Sequence, residues 1–386
     1  MENRDTMMQL ARRALQHRQA STTDQADAPM DMPVDAYVNP QRYTAERERI
    51  FKHLPLAMAL SLELPAAGDY KALTVLDTPL LLVRGEDNTA RAFLNVCRHR
   101  GAVVCPPGTG NARVFSCPYH AWVYDRAGKL RGRYGDDTFG EVDDAALGLL
   151  ELPCAERCGV IWVMLSQGEE FDIDLWLGDF AAELDTLELD GWHLFEQRDL
   201  TGPGWKVTMD GYLEVYHHNL LHTDTVGQHT IGNLLVLDTY GPHQRLTFGR
   251  KTIDTLLTTD EADWQPGEHV RLIHSCFPNL SISGILGGHC LVSQIFPGPT
   301  LDTTVTTQTI LAAREPRTED EKAASQGFSE LVLKAVQDED YRVGYGIQSN
   351  IGAIANNSFV FGRNEPAVQN YHSWVARFMT QNGSAY

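Results

Sequence analysis

The sequence predicts an α+β protein in which a small all-β domain precedes a larger domain that combines an antiparallel sheet with surrounding helices. Three observations support this class. Short strand-like runs separated by turns lie between about residues 71 and 125. Longer runs rich in Thr, Val, Leu and Ile lie between residues 233 and 312, and a long helical segment follows over 318–348. Strands and helices arranged in this way are typical of α+β domains.

The domain boundaries follow from changes in composition. Residues 1–35 are expected to form a short amphipathic helix and a loose tail, because residues 19–31 are rich in Ser, Thr, Asp, Ala and Met and lack periodicity. The all-β domain is expected over residues 36–165. Acidic, helix-like segments begin after it, so the second domain is expected over residues 166–386.

Composition excludes several classes of protein. The chain has 386 residues, with 32 basic and 51 acidic, which gives a net charge of −19. A surface this acidic repels phosphate backbones, so we expect no nucleic-acid partner. No apolar run reaches the ~20 residues of a membrane span, and the N-terminus lacks the apolar core of a signal peptide. Seven cysteines, an odd number, favour reduced thiols in a soluble cytoplasmic protein.

Two Cys–His pairs form the first candidate site. Cys97 and His99 are followed, after 17 residues, by Cys117 and His120. Each pair follows a strand-like run, so the four side chains are expected at two hairpin tips. Two thiolates and two imidazoles suit zinc or an iron–sulfur cluster. Structural zinc sites usually pair like ligands, whereas one Cys and one His at each tip fit a cluster with Cys on one iron and His on the other.

Three histidines form the second candidate site, at the end of the segment Gly204–His222. His218 and His222 are four residues apart and share one face of a regular helix. His217 and His222 are five apart, so they bind one metal only where the helix is distorted or ends. From spacing alone, the two pairs are equal candidates for metal ligands.

A carboxylate is needed to complete a facial triad of two histidines and one acid. The segment Phe328–Asn350 offers Asp338, Glu339 and Asp340. In a regular helix Asp340 falls in an apolar stripe, where a carboxylate is costly unless it is paired or bound to metal. The other members of this stripe are Val332, Val336, Val343 and Ile347. Asp338 and Glu339 fall off the stripe and are expected to be solvated.

The first site resembles a known motif. Asn95–Ala102 (NVCRHRGA) and Cys117–Asp125 (CPYHAWVYD) resemble the cluster motif of the Rieske-type non-haem iron oxygenases, the ring-hydroxylating oxygenase α-subunits. The resemblance implies that the two cysteines and two histidines named above hold a [2Fe-2S] cluster, which Trp122 shields. This chain has Ala121 where the family usually has Gly.

The second and third sites resemble the mononuclear iron motif of the same family. The resemblance implies that His217, His222 and Asp340 bind Fe(II), and that Glu214 carries electrons between subunits. His218 becomes a neighbour that lines the site or hydrogen-bonds within it. The chain departs from the family pattern in having Glu214 where Asp is commoner. It also has Asp210 where Asn is frequent.

By this resemblance the larger domain has a helix-grip, START-like fold, and the chain is the bacterial terminal oxygenase of a multicomponent system. It would use O2 and electrons from NAD(P)H, delivered by a separate reductase or ferredoxin, to mono- or dioxygenate a small apolar or aromatic substrate. One alternative within the family is an oxidative N- or O-demethylase or quaternary-amine monooxygenase. An alternative of a second class is a Rieske electron carrier without oxygenase activity. A zinc-stabilised binding protein is the third class.

The resemblance also implies a head-to-tail homotrimer, in which His120 of one subunit reaches His217 of the next through Glu214. Basic residues near the tips are expected to steer an acidic electron donor: Arg98, Arg100, Lys129, Arg131 and Arg133. The substrate pocket is expected to draw on Leu220, Leu221, Ile231, Leu234, Leu235, Phe277 and Ile285.

Overall fold

The computed structural model describes residues 4–286, 288–353 and 357–380. It divides into two compact units, one of residues 51–176 and one that joins the residues up to Ile50 with those from Leu177 onward. The domain boundaries predicted from the sequence, after residues 35 and 165, therefore differ from the unit boundaries of the structure, after residues 50 and 176. Within the described parts of the chain, no helix is both long and apolar enough to cross a membrane.

The N-terminal segment packs on the second unit. Its elements are α1 (Arg4–Ala20), β1 (Met30–Pro33), α2 (Asp35–Val38) and α3 (Pro40–Glu46). The apolar face of α1, including Leu10 and Leu15, is buried against Leu234 and Ile253. The stretch after α1 is not loose, because the Asp24 N–H donates to the Leu235 carbonyl at 2.9 Å and its carboxylate accepts from the Leu237 N–H at 2.8 Å.

The unit of residues 51–176 consists mainly of short antiparallel strands. These are β2 (Leu56–Leu60), β3 (Asp69–Val75), β4 (Thr78–Arg84), β5 (Ala90–Leu94), β6 (Gly108–Asn111), β7 (Val114–Ser116), β8 (Val123–Asp125), β9 (Leu130–Gly132), β10 (Glu151–Leu152), β11 (Cys154–Arg157) and β12 (Val160–Val163). The sheets have the orders β10-β5-β4-β3-β6, β11-β12-β2 and β7-β8-β9. Two short helices complete it, α4 (Asp136–Phe139) and α5 (Ile173–Leu177), the latter ending at the unit boundary. The predicted all-β character is confirmed.

The second unit is built on one large antiparallel sheet with helices beside it. Its elements are α6 (Phe180–Asp185), β13 (His193–Pro203), α7 (Trp205–Tyr212), α8 (His218–Leu221), β14 (Thr230–Tyr240), β15 (His243–Arg250), β16 (Val270–Cys276), β17 (Leu280–Leu286), β18 (His289–Pro297), β19 (Thr303–Ala312), α9 (Glu319–Leu333), α10 (Arg342–Asn350), β20 (Ser358–Phe361) and α11 (Pro366–Thr380). The strand order is β13-β19-β18-β17-β16-β15-β14, and β1 pairs with β20. This confirms the predicted α+β class.

The long C-terminal helical segment contains an irregularity that positions the site. Helix α9 begins at a capping box, in which Thr318 accepts from the Glu321 N–H and Glu321 accepts from the Thr318 N–H. A π-helical segment, Lys334–Tyr341, separates α9 from α10. Phe328 and Val332 of α9 pack on the sheet at Leu291 and Ile310. The π segment therefore lies beside the sheet rather than at a free end.

Candidate metal and cluster sites

Two tight turns present the Cys–His pairs within the unit of residues 51–176. Cys97 and His99 lie in the loop after β5, where the Gly101 N–H donates to the Cys97 carbonyl at 2.9 Å. Cys117 and His120 lie between β7 and β8, where the Ala121 N–H donates to the Cys117 carbonyl at 3.0 Å. The two turns share one backbone pattern: the fourth residue after each Cys donates to the carbonyl of that Cys and adopts a left-handed conformation. Gly101 has φ 77° and Ala121 has φ 50°.

The four side chains come together as a potential set of cluster ligands. His99 Nδ1 and His120 Nδ1 face each other at 3.1 Å, and Cys97 and Cys117 are both buried. The two sulfurs lie within hydrogen-bonding reach of each other, as the two imidazole nitrogens do. Two paired sulfurs and two paired imidazoles fit a [2Fe-2S] cluster with mixed ligation. Sequence reasoning missed Tyr124, whose buried hydroxyl lies 3.3 Å from Cys97 Sγ and accepts from the Arg98 N–H at 3.0 Å.

Trp122 lies against one of these histidines. Its ring stacks on the His99 ring at a centroid distance of 5.1 Å and an angle of 8°. Trp122 is buried, and its side chain holds the plane of the His99 ring. Its placement is compatible with the shielding role that the resemblance implies.

His217 and His222 flank a single helical turn within the second unit. Helix α7 ends at Tyr212, and α8 spans only His218–Leu221. His217 is the N-terminal cap of α8 and His222 its C-terminal cap. The regular helix therefore ends before the histidines, which is one of the two conditions that their five-residue spacing required.

The geometry groups these histidines with Asp340. His217 Nε2 and His222 Nε2 are 3.1 Å apart, and Asp340 Oδ1 lies 3.1 Å from His222 Nε2 and 3.6 Å from His217 Nε2. All three ligand atoms lie within 4.8 Å of one another. Two imidazoles and one carboxylate in this arrangement fit the facial triad of a non-haem Fe(II) centre.

The opposite nitrogen of each ring is held by a carboxylate. Glu214 Oε1 accepts from His217 Nδ1, and Glu339 Oε2 accepts from His222 Nδ1 at 2.6 Å. Thr225 also donates to Glu339 Oε2, at 2.5 Å. A proton on each Nδ1 leaves the Nε2 lone pairs free for a shared metal, which is how carboxylates orient metal-binding histidines.

The expectation that Glu339 is solvated is wrong. Glu339 is buried and bonds His222, while Asp340 faces both histidines. The apolar-stripe argument assumed a regular α-helix, and residues 334–341 are π-helical. A π-turn contains more residues than an α-turn, so consecutive side chains are separated by a smaller angle and both acids reach the site. A π-helical segment within a longer helix leaves no clear signal in the spacing of apolar residues along the sequence.

The His218 ring contacts the rings of His217 and His222, but His218 does not belong to the group of three potential metal ligands. Its ring is buried edge-on to Phe248. Burial, followed by the nearby His217 and His222, holds its pKa well below the usual value, so the ring is neutral. Nδ1 of His218 has no hydrogen-bond partner within the described residues.

A cavity of about 450 Å³ in the second unit is lined by two of these three side chains, His217 and Asp340. Its walls are lined by Pro203, Val207, Thr208, Asp210, Gly211, Tyr212, Glu214, His217, Leu221, Asp340, Tyr341, Val343, Gly344, Ile347, Phe359, Val360, Phe361 and Glu365. Among these described residues, carboxylates occur on several walls and no Lys or Arg does. Burial, with smaller contributions from Glu214 and Asp210, raises the pKa of Glu365.

Most of the predicted pocket residues lie elsewhere. Leu221 lines the cavity, but Leu220 is 80% exposed. Leu234 and Ile231 pack in the core under α1, because their strand faces that helix. Phe277 is buried against Tyr371 and Phe378, and Leu235 is also buried. The side chain of Ile285 lies outside the described residues.

Two of the five basic residues predicted to form a positive surface near the cluster tips, Arg131 and Arg133, are paired with acids. Arg133 has a side chain only 6% exposed and is paired with Asp136 and Asp144. Arg131 is paired with Asp125 at 2.6 Å, and Arg100 lies over the Tyr119 ring at 5.5 Å. The prediction of a five-residue positive patch is therefore wrong for Arg133, since nearby acids in the same loop fold back onto it.

Part of the chain is similar in sequence to oxygenase subunits of known function. The glycine betaine monooxygenase oxygenase subunit of Chromohalobacter salexigens is 31% identical over 198 residues, which cover 50% of this chain and 43% of that protein. The biphenyl dioxygenase subunit alpha of Metapseudomonas furukawaii is 32% identical over 159 residues, 39% of this chain and 34% of that protein. The chain thus spans less than half the length of these curated relatives.

Solved structures share the fold over nearly the whole chain. The quaternary ammonium Rieske monooxygenase CntA, in complex with an inhibitor, has a TM-score of 0.78 at 22% identity and covers 92% of this chain and 96% of its own. Naphthalene 1,2-dioxygenase from Rhodococcus sp. has a TM-score of 0.75 at 20% identity and covers 98% of this chain and 99% of its own.

Family models account for both sites. The model of the Rieske [2Fe-2S] domain matches residues 55–138, which include both Cys–His pairs. The model of the ring hydroxylating alpha subunit (catalytic domain) matches residues 189–381, which include His217, His222 and Asp340. With a Rieske domain ahead of that catalytic domain, the chain belongs to the Rieske-type ring-hydroxylating oxygenase alpha subunits, a family whose cofactors are a [2Fe-2S] cluster and a non-haem iron.

Proposed function

We propose that this chain is a terminal oxygenase that uses O2 and electrons from a separate reductase or ferredoxin to oxygenate a small organic substrate. The observation that carries this proposal is the convergence of His217 Nε2, His222 Nε2 and Asp340 Oδ1. The same chain also contains two Cys–His pairs whose histidines, His99 and His120, face each other. An electron carrier without oxygenase activity would leave the second set of ligands without a use.

Each group would have a distinct set of ligands. Cys97 and Cys117 would hold one iron of the cluster and His99 and His120 the other, and the cluster would supply electrons one at a time. His217, His222 and Asp340 would hold Fe(II), which would supply open positions for O2 beside the substrate.

The remaining residues of the site act by orienting ligands. Glu214 and Glu339 accept the Nδ1 protons of His217 and His222, which fixes the tautomer and the plane of each ring. Backbone N–H groups of Tyr216 and His217 donate to Glu214 Oε2. This carboxylate is therefore itself held in place by the turn that precedes α8.

We propose a head-to-tail trimer in which His120 of one subunit lies near Glu214 of the next. Large apolar side chains are exposed beside both sites, which supports an interface there: Tyr119 is 56% exposed, Tyr216 54% and Leu220 80%. Inter-subunit electron transfer has been described for a quaternary ammonium Rieske monooxygenase with a TM-score of 0.77 to this chain.

Two classes of substrate fit the cavity. Its apolar walls suit an aromatic or other apolar molecule. The second class, a quaternary amine, is favoured by the acidic side chains of Asp210 and Glu365 together with the rings of Phe359 and Phe361. The test compares a trimethylammonium compound with its uncharged tert-butyl analogue. A cation site predicts O2 consumption with the ammonium compound alone and a raised KM for it after Glu365→Gln.

The decisive test of the function is an EPR spectrum of dithionite-reduced protein together with iron, sulfide and zinc analysis. We expect the rhombic signal of a His-ligated [2Fe-2S] centre and more iron than the cluster requires. A silent spectrum with stoichiometric zinc would overturn the proposal in favour of a zinc-stabilised binding protein.

A matched pair of variants separates the two sites. His217→Ala is expected to abolish oxygenation and lower the non-cluster iron while leaving the cluster signal intact. His229→Ala, at an exposed position nearby in sequence, is the control and should retain both. If His217→Ala bleached the cluster, the division of ligands proposed here would be wrong.

A further inference from the structure

A loop of residues 133–144, which we call the flap, packs on one of the proposed cluster ligands. Phe139 meets the His99 ring edge-on at a centroid distance of 5.7 Å and an angle of 74°. It meets the Trp122 ring in the same way, at 5.7 Å and 72°. Because Trp122 also stacks on His99, the imidazole lies in a cluster of three rings, two of which fix its plane.

Arg133 fastens the flap at both ends. Its guanidinium pairs with Asp136 at 2.5 Å and with Asp144 at 2.5 Å. It also lies over the Trp122 ring at 5.8 Å and the Phe139 ring at 5.0 Å. Charge-assisted pairing to both carboxylates and two cation–π contacts hold the closed arrangement.

The flap buries few of its own residues. None of the residues of α4, all of them described, is buried, and Tyr134 is 83% exposed. Helix α4 lies between Gly135 with φ 68° and Gly140 with φ 90°, conformations that glycine adopts without a steric penalty. Arg133 and Phe139 are therefore the contacts on which the position of the flap depends.

We propose that the flap is a shield for the cluster, with Phe139 and Arg133 as positioning residues that hold His99 against Trp122 and exclude water and O2 from that edge. The proposal rests on the proposed ligation of the cluster by His99. It assigns a role to residues 133–144 that the facial triad and the Cys–His pairs do not require.

The shield matters because the enzyme works in the presence of its own oxidant. A reduced cluster that meets O2 directly loses one electron to it and forms superoxide. Two superoxide ions then take up two protons and yield O2 and hydrogen peroxide. Each such event oxidises the cluster without a substrate being oxygenated, so a barrier to O2 at the cluster edge conserves electrons for the iron site.

The test uses the full-length, cluster-loaded protein, reduced anaerobically and mixed with air-saturated buffer without substrate. Recovery of the visible absorption of the oxidised cluster gives the rate, and peroxide is measured at the end. Phe139→Ala is expected to oxidise several-fold faster and Phe139→Leu at an intermediate rate. Phe139 is 39% exposed, so its truncation leaves the core intact. Arg133→Met, which releases the flap ends, should also oxidise faster.

The midpoint potential is a second, independent measurement. Reduction adds a negative charge to the cluster, and water stabilises that charge better than an aromatic ring does, so Phe139→Ala should raise the potential. Tyr134→Ala, an exposed ring in the same loop, is the matched control and should match the wild type in rate and potential.

Two outcomes would overturn the proposal, and they are distinguishable. A normal Rieske EPR signal with wild-type oxidation kinetics and potential in Phe139→Ala and Arg133→Met overturns the shield alone. Absence of the Rieske signal from the wild type overturns the ligation by His99 and the shield with it.

Discussion

Ala121 is a residue whose backbone conformation conflicts with its side chain. Its φ of 50° lies in the left-handed region, which is unfavourable for residues with a Cβ atom. The equivalent turn at the other Cys–His pair uses Gly101 with φ 77°. The conformation is set by the hydrogen-bonded turn between Cys117 and Trp122, so the strain is retained in the folded protein.

Exchange of these two residues provides a matched test. Ala121→Gly is expected to raise the free energy of unfolding by about 0.5–1 kcal/mol, and Gly101→Ala to lower it by at least as much. At Gly101 the nearest atom to an added Cβ is Val96 Cγ1 at 4.0 Å, so the cost there is conformational rather than steric. Urea unfolding measures both; equal stabilities would show that the turns relax without cost.

His274 makes folding stability depend on pH. It is buried, its Nε2 has no partner among the described residues, and burial followed by the charge of Arg245 lowers its pKa to about 3. Its unfolded pKa is about 6.5. Between these values only the unfolded chain binds the proton, so this contribution is complete above about pH 6.5 and falls as the pH drops towards 3.

We therefore expect His274→Met to flatten the loss of stability in acid. The wild type should lose up to about 1.4 kcal/mol per pH unit more than the variant below pH 6.5. Urea unfolding at pH 7, 6 and 5 checks this, with His229→Met at an exposed position as the control. Parallel curves for His274→Met and the wild type would contradict the expectation.

The sequence predicted the candidate ligands of the mononuclear site but not the residues that orient them. Spacing and resemblance selected His217, His222 and Asp340, and the structure brings them together. Glu339 was missed because its role depends on a π-helical turn that apolar periodicity does not reveal. Tyr124 and Phe139 reach their partners across hairpins and loops, and such contacts depend on tertiary packing rather than on local pattern.

At the scale of elements, a buried ion pair joins α3 to α7. Lys206 Nζ donates to Glu46, and both side chains are buried. Arg42 also donates to Glu46, at 2.9 Å. Burial, opposed by Glu46, lowers the pKa of Lys206. This pair is one physical reason why residues 36–50 group with the second unit rather than with the all-β unit.

Removal of one partner of this ion pair should lower the free energy of unfolding far more than removal of both. Lys206→Met leaves the Glu46 carboxylate buried with Arg42 alone, and we expect a loss of about 3–5 kcal/mol of stability. Lys206→Met combined with Glu46→Met should recover most of this, since an apolar pair of similar volume removes the buried charge. Urea unfolding of both variants is the measurement; a double variant as unstable as the single would refute the argument.

At the scale of the whole molecule, α1 completes the core of the second unit. Its buried residues are Met7, Met8, Leu10, Ala11, Ala14 and Leu15. They cover residues of the sheet and of the loops beyond it, among them Leu234, Val236, Ile253 and Trp264. The helix is therefore part of the fold, although the sequence suggested only a short helix ahead of a loose tail.

Deletion of residues 1–20 is expected to destabilise the second unit by more than about 3 kcal/mol, since several apolar side chains lose their cover. The variant should bind a hydrophobic dye and aggregate on mild heating, while the visible spectrum of the cluster persists. Arg12→Ala is the control, because it removes only an exposed ion pair with Glu261. A truncated chain with wild-type thermal stability would show that α1 is an appendage.

The π segment has a consequence for how the protein would lose its iron. Glu339 and Asp340 are consecutive in Lys334–Tyr341, and one holds His222 while the other faces both histidines. Any fluctuation that unwinds this turn withdraws one proposed ligand, Asp340, and the support of a second, His222, in the same event. Iron release should therefore be limited by the opening of one turn, and amide deuterium exchange over residues 334–341 should proceed at the rate at which a chelator captures the metal.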